Sequence, residues 1–424
     1  MAGSAWISRV VSAAIQLLSV RIIIENLGTD QYAVFGLLTG LMGWYMLVEM
    51  GVGTSLQNFI SEYRAKDQTY VKYIVSAGMV AFVLLFPLLF ILYILSPYLA
   101  PFFLKQFYFL SDAEKIKDFF SIGSLFIAAT IGGIAYRVWY AQQRGYISNL
   151  LTALGSLISF FGILTVTQSQ LSNKLFLSLV MYALPSTILS IASLCYLTIK
   201  NMNNGFRWET EVVENLLRRA GRFWLLAIMA ACVLQVDSII ISQFIEIKEI
   251  VIYLISTRIY GFIFFIYNAV LLALWPVFAE AIARNKWDII NRNLTNYLTA
   301  GISMMVVATS VLLWLMPFIV HILSPAEKIE VPLFFIIILG VYYLLRVWTD
   351  TFSMVLGSMN DLKPLWLFVP FQGMLSIFFQ LILAPKYGVY GIVLGLIISF
   401  ILTVAWGLPR AVRQHALNSN RDII

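Results

Sequence analysis

Long apolar runs separated by short polar stretches recur along the whole chain. They fall at 5–27, 32–58, 72–95, 118–140, 147–168, 174–198, 222–245, 250–278, 294–320, 331–356, 364–384 and 388–408. Each is close to the roughly 20 residues that an α-helix needs to cross a bilayer's hydrocarbon layer. The pattern predicts an all-α polytopic membrane protein of about 12 transmembrane helices. An even number of crossings places both termini on one side of the membrane. Pro87, Pro185 and Pro370 lie inside runs and mark places where a spanning helix can bend.

The longest polar connection, 199–221, divides the chain near its middle. Its charged, amphipathic second half runs from Glu209 to Arg219. The predicted organisation is an N-terminal six-helix half over 1–200, a cytoplasmic linker over 201–221, and a C-terminal six-helix half over 222–424 with a short cytoplasmic tail. The halves carry a trace of duplication. Glu62, Ala65 and Lys66 match Glu280, Ala283 and Arg284 at a constant offset of 218, and Arg21-Ile-Ile-Ile matches Ser238-Ile-Ile-Ile at 217. Six crossings per half give both repeats the same orientation. They would then be related by an axis along the membrane normal, around a central lumen.

Composition turns this prediction into an exclusion. Hydrophobic residues make up 61% of the 424 positions and charged residues 12%, against roughly 45–50% and 25% in soluble proteins. The mean hydropathy is +0.87. A soluble enzyme, a nucleic-acid binder and a disordered chain are excluded. The net charge of +7 then reads as basic loops that orient helices. With a cytoplasmic N-terminus, 17 Lys and Arg residues fall in inner loops and tail and 7 in outer loops, with four arginines inside helices. That bias supports both termini inside. Arg9 and Arg21 interrupt the first apolar run and no basic segment precedes it, so it reads as a retained helix. Cys195 and Cys232 lie within apolar runs, and His321 and His415 are the only histidines. A disulfide framework, a metal site and histidine catalysis have little material. There is no Walker A sequence, no HExxH and no GxSxG. The expectation is no enzyme, no catalytic residue, no metal and no cofactor.

Charge inside a bilayer costs about 2.5–3.5 kcal/mol per residue on insertion scales, so the residues that bear it are the candidates for chemistry. Tyr343, Arg346, Asp350, Ser353 and Gly357 share one face of the tenth predicted helix, with Arg346 and Asp350 able to neutralise each other at i,i+4. The eighth carries a similar stripe, Arg258, Gly261, Phe265, Asn268, Leu272 and Trp275. Two readings stand: an anion-binding lumen lined by Arg258, Arg346, Asn268, Tyr343 and Ser353, or a structural ion pair locking two helices. In the first helix Arg9, Ser12, Gln16 and Ser19 share a face, while Arg21 lies about 120° around from Arg9 and in line with Glu25. Arg9 and Arg21 are either lumen cations or interfacial anchors. Glu49 and Asp237 are isolated acids in apolar surroundings. Each is a candidate for proton or sodium coupling or a hydrogen-bonded structural acid. Gly36, Gly40 and Gly43 read as a close-packing stripe.

Several stretches resemble the polysaccharide flippases of the multidrug/oligosaccharidyl-lipid/polysaccharide exporter superfamily, specifically bacterial O-antigen flippases of the Wzx type. They are Gln142-Gln143-Arg144-Gly145-Tyr146-Ile147, Asp237-Ser-Ile-Ile-Ile-Ser242, Leu274-Trp275-Pro276-Val277-Phe278-Ala279-Glu280-Ala281 and Arg346-Val-Trp348-Thr349-Asp350. The resemblance runs over the whole chain and agrees with the helix count. It implies a transporter that moves a glycan, linked by diphosphate to undecaprenol, from the inner to the outer leaflet of the bacterial cytoplasmic membrane. Two halves would rock between inward-open and outward-open states, without nucleotide and with proton or sodium coupling. In that reading Arg258, Arg346, Arg21 and Arg9 hold the diphosphate, and Asp350, Asp237 and Glu49 pair charge or couple ions. The partners are the lipid-linked oligosaccharide, membrane lipids and the polysaccharide polymerase machinery, with no nucleic acid. The alternatives are a drug or cation exporter of the same superfamily, which favours acidic cavities, and a membrane-embedded glycosyltransferase or polymerase, which needs a large outer loop or a carboxylate site.

Overall fold

The computed structural model describes residues 2–202, 209–283, 286–324, 329–359 and 361–421. They form helices, with no strand among the described residues. The first crossing is α1 (Ala2–Leu27). The second is broken into α2 (Thr29–Gly40), α3 (Met42–Tyr45), a 3-10 turn (Met46–Glu49) and α4 (Val52–Ala65). Then come α5 (Val71–Phe103), α6 (Asp112–Gly132) with α7 (Ile134–Ala141), α8 (Gly145–Gln168) and α9 (Lys174–Met202). The chain continues through α10 (Thr210–Leu234), α11 (Val236–Phe244), α12 (Ile247–Ala283), α13 (Trp287–Leu323), α14 (Leu333–Ser358), α15 (Lys363–Leu402) and α16 (Val404–Arg421).

Eleven stretches of described residues are long and apolar enough to span a membrane, the last running from Lys363 to Leu417. That last stretch is two crossings. Inside α15, Gly388 has φ 58° and ψ −140°, a conformation foreign to a helix. The chain reverses there, and the helix that follows begins with its Val389 N–H donating to the Glu249 carboxylate at 3.1 Å. Counting the break, the 12 predicted crossings are present, and the protein is a multi-pass membrane protein.

The helices group into two compact units, Met1–Ala231 and Cys232–Ile424. In the first, α8 packs on α1 and α9, and α6 packs on α5 and α9. A second cluster joins α4, α5, α7, α9 and the start of α10. Val212, Leu216 and Ala220 repeat at i,i+4,i+8 and are buried in it beside Val52, Leu56 and Ile60. The Ser55 hydroxyl donates to the Leu216 carbonyl at 3.0 Å, and Arg219 forks onto Glu62 at 2.6 and 2.9 Å. Residues 210–221 of the expected linker are therefore helical and lie against this unit.

In the second unit α14 is central, packed by α12, α13, α15 and α16. The Tyr260 hydroxyl bonds the Ile336 carbonyl at 2.8 Å, and the Tyr267 and Thr351 hydroxyls meet at 2.6 Å. These polar ties fasten α12 to α14 where lipid supplies no hydrophobic drive. One packing expectation is corrected. Gly36 is buried, but Gly40 is exposed and a Cβ placed there would meet nothing within 4 Å. The stripe is not a continuous contact surface, because the second crossing breaks at Leu41, between Gly40 and Gly43.

Candidate functional site

Helix α14 presents Arg346 and Asp350 one turn apart. Arg346 Nη2 and Nε reach the same Asp350 oxygen, at 3.1 and 3.3 Å. Nη1 donates to the Tyr342 hydroxyl at 3.3 Å, and the guanidinium lies over the Phe264 ring of α12, 4.7 Å from its centre. An apolar face, a phenol and a carboxylate thus fix the orientation of one cation. The pair remains accessible: 16% of the Arg346 side chain and 30% of that of Asp350 are exposed. Helix spacing brings the pair together; α12 supplies the aromatic wall.

The two predicted polar stripes meet. A Cβ on Gly261 would sit 3.6 Å from the Tyr343 hydroxyl. Tyr343 is buried, stacks on Tyr260 at 5.2 Å and donates to the Thr257 carbonyl at 3.3 Å. It braces α12 against α14. Arg258 and Asn268 are half-buried on α12, and Ser353 is half-buried on α14 one turn beyond Asp350. The side chain of Trp275 lies outside the described residues.

Asp237 opens α11, just after the helix break at Gln235. It accepts a hydrogen bond from the Tyr253 hydroxyl of α12, and from the Ser238 N–H at 2.8 Å. Its partner is therefore a phenol sixteen residues on, which spacing along its own helix does not reveal. Three residues went unnoticed in the sequence: Gln372, Ser376 and Gln380, fully buried along one face of α15, with Gln380 donating to Ser376 at 2.8 Å. Their i,i+4,i+8 spacing in an apolar run was the available signal. Helix α15 packs on α11.

In the first unit Glu49 ends the 3-10 turn. The chain then passes through left-handed Met50, at φ 49°, and Gly51, at φ 74°. A Cβ on Gly53 would meet the Glu49 carboxylate at 2.7 Å and the Arg137 side chain at 3.1 Å. Both side chains converge over that glycine, and the Arg137 charge acts on Glu49. Arg137 is on α7, inside the predicted run 118–140. Arg21 pairs with Glu25 at 3.5 Å, both nearly half exposed. The side chain of Arg9 lies outside the described residues. Ser12, Gln16 and Ser19 line a cleft of about 170 Å³ with Ser156 and Tyr182, and the Ser12 and Ser156 hydroxyls are 3.0 Å apart.

Among the described residues no group of three or more His, Cys, Asp or Glu could hold a metal ion. Within the second unit, Arg346, Asp350 and Tyr342 of α14 and Phe264 of α12 form one group of a cation, an acid, a phenol and an aromatic ring.

Residues 2–282 match the model of the family described as polysaccharide biosynthesis protein. The chain belongs to that family. Relatives of this chain agree with it over nearly its whole length. A Yersinia pseudotuberculosis protein named as a candidate O-antigen export protein is 37% identical, over 98% of this chain and 95% of its own. A Salmonella typhimurium (strain LT2) protein named as a candidate O-antigen transporter is 36% identical, over 96% and 95%. These relatives are named as exporters and transporters, not as enzymes. Among solved structures, an inward-facing multidrug resistance MATE family transporter of the MOP superfamily matches with a TM-score of 0.72 at 12% identity, over 99% of both chains. The lipid II flippase MurJ in an inward closed conformation matches with a TM-score of 0.71 at 15% identity, over 98% of this chain and 89% of its own. At such identities the likeness fixes the fold of this family member, a transporter fold.

Proposed function

We propose that this protein moves undecaprenyl-diphosphate-linked O-antigen repeat units from the inner to the outer leaflet of the bacterial cytoplasmic membrane. The observation that carries the reading is the partly open Arg346–Asp350 pair on a membrane-spanning helix, in a chain whose relatives are named for O-antigen export. A guanidinium forks onto phosphate oxygens, and in a low dielectric that bond is strong. The substrate diphosphate takes the place of Asp350 on Arg346. Arg258 on α12, and Arg21 and Arg9 on α1, supply further positive charge to a central lumen between two halves, 1–200 and 222–424, joined through 201–221. Asn268, Ser353 and Tyr343 belong to its wall. The polyprenyl tail stays in lipid while the head group crosses. Both termini are cytoplasmic, and the product passes to polymerase machinery on the far side.

Coupling follows from the same exchange. When diphosphate takes Arg346, Asp350 loses its counter-charge at membrane depth, and an uncompensated carboxylate there takes up a proton or sodium ion. Asp237, tied to Tyr253, and Glu49, beside Arg137, are the other acids through which an ion favours one lumen state over the other. A drug exporter shares the fold, but arginines in the cavity oppose cationic cargo. The test is leaflet translocation of a lipid-diphosphate-linked glycan in proteoliposomes, with proton and sodium gradients imposed singly. Translocation that needs the protein and falls at least tenfold in Arg346→Ala supports the reading. Export of cationic dyes without glycan translocation refutes it.

A further inference from the structure

A second cavity, of about 440 Å³, opens at the end of the first unit remote from the start of α1. The α1–α2 junction, the loop before α6, the first two turns of α6 and the start of α9 enclose it, through Asn26, Gln31, Phe109, Asp118, Asn173 and Phe176. Its size lies within the roughly 300–1,000 Å³ of small-molecule sites. It shares no residue with the arginine site or with the serine-lined cleft.

Asp118 decides what the cavity is for. It is 4% exposed, yet it accepts no hydrogen bond among the described residues; its electrostatic neighbours are Lys117 and Glu114. The little surface it keeps lines the cavity, so its acceptor capacity is open there. Glu114 is already committed, accepting from the Ser111 N–H and hydroxyl in a capping box. Lys117 lies over the Phe176 ring at 3.7 Å, and Lys174 donates to the Thr167 carbonyl at 2.9 Å. By formal count the two acids and two lysines of the lining are equal in number, so the cavity is not built around an excess of one charged residue type.

What remains open is hydrogen-bonding capacity. The Gln31 and Asn173 carboxamides make no side-chain hydrogen bond among the described residues. Asn26 spends one amide proton on the Ile22 carbonyl and keeps its carbonyl oxygen. An amide donates and accepts at once, which suits a hydroxyl that does the same. Phe109 and Phe176 add apolar surface for the C–H face of a ring. We propose that this cavity is a carbohydrate-binding site that takes one or two neutral sugar rings, with Asp118 accepting from vicinal hydroxyls and Gln31 and Asn173 completing the ring of contacts. It deepens the reading given above and rests on it for the source of the sugar, the glycan head group. On the topology proposed there, the cavity opens to the outer side, where it would hold the glycan after crossing.

The test uses the full chain in nanodiscs and free sugars without lipid or phosphate: a hexose, a 6-deoxyhexose and an N-acetylhexosamine, titrated by ligand-observed NMR. At least one is expected to bind. Asp118→Asn and Gln31→Ala are each expected to weaken it at least fivefold while the protein stays monodisperse. Sodium pyrophosphate, which addresses the arginine site, is expected to leave the sugar Kd unchanged. The inference is overturned if none of the three binds, if both variants bind as wild type does, or if pyrophosphate displaces the sugar. Translocation is scored separately: sugar binding without translocation sinks only the transport reading, and translocation without sugar binding sinks only this site.

Discussion

Replacing Asp350 by Asn separates stability from anion binding in a direction that distinguishes an exchangeable pair from a structural lock. The substitution keeps the shape of the side chain and removes the charge that two Arg346 nitrogens share. Breaking one partner of a fully buried pair costs about 3–5 kcal/mol, whereas exposed pairs contribute about 0–1 kcal/mol. With exposures of 16% and 30% this pair lies between, and a loss of about 2 kcal/mol is expected from those limits. The Phe264 face and the Tyr342 hydroxyl stay in place, so Arg346 remains positioned. Freed from its competitor, it should bind pyrophosphate about tenfold more tightly, the equivalent of about 1.4 kcal/mol. Arg346→Ala should lose that binding. The assays are calorimetric titration with pyrophosphate and denaturation of the purified protein for both single variants and the double variant. The double variant should be more stable than the singles predict, by about 1 kcal/mol or more. Stability changes that add within about 0.5 kcal/mol, with pyrophosphate affinity unchanged in Asp350→Asn, would show that the acid and the anion never compete.

Asp237→Asn or Glu49→Gln is expected to remove the gradient dependence of translocation while leaving passive exchange of the lipid-linked glycan, read in proteoliposomes with each gradient collapsed in turn; unchanged gradient dependence in both variants would assign them structural roles. Gly388→Ala forces a Cβ into a left-handed backbone and onto the Glu249 carboxylate, and should cost about 2 kcal/mol or more, read as thermal stability; Glu249→Gln, which keeps the cap, should cost less. The Arg219 hydrogen bond holds the Glu62 carboxyl below its ordinary value of 4.5. Glu62 thus adds stability above that pH, and the contribution is lost as pH falls through the lowered folded value. With half of its side chain exposed the effect is under about 1 kcal/mol, and Glu62→Gln should flatten the acid limb of the stability profile.

Hydrophobic spacing made the crossings legible because a bilayer demands length and apolarity, both visible residue by residue. It did not show where crossings break. The run 32–58 reads as one helix, yet Met50 and Gly51 take left-handed conformations that periodicity cannot register. The Arg346–Asp350 pair was legible because helix geometry alone makes i,i+4 neighbours. The Tyr253 partner of Asp237, the Phe264 wall behind Arg346 and the meeting of Glu49 with Arg137 were not, since each joins residues brought together by packing between helices. Asp118 was hidden for a different reason: it stands at the edge of an apolar run, where an acid reads as a helix end in water, and only the enclosing loops make it buried.

The breaks connect the two isolated acids. Glu49 is the last residue before the interruption of the second crossing, and Asp237 is the second residue after the interruption at Gln235 in the seventh. Each compact unit therefore has one acid at a helix discontinuity. Non-helical backbone at membrane depth persists only where its freed polar groups are buried in protein or face a water-filled cavity, and half-helix ends are where transporters place coupling ions. The two sites are not copies of one another. Helices α4 and α12 end at Ala65 and Ala283, in register with the sequence repeat, but α12 runs unbroken from Ile247 where the second crossing is interrupted. If the halves arose by duplication, each acquired its break at a different crossing. The carboxylates also have different partners, an arginine for Glu49 and a phenol for Asp237. The Arg137 charge acts on Glu49 without a salt bridge or hydrogen bond between them, and offsets the carboxylate only in part. A carboxylate held by a tyrosine hydroxyl, as Asp237 is, has no cation among its hydrogen-bond partners and can exchange a proton or admit sodium without breaking an ion pair. Of the two acids, Asp237 is accordingly the one whose substitution should alter coupling more, and Glu49 the one whose substitution should alter stability more.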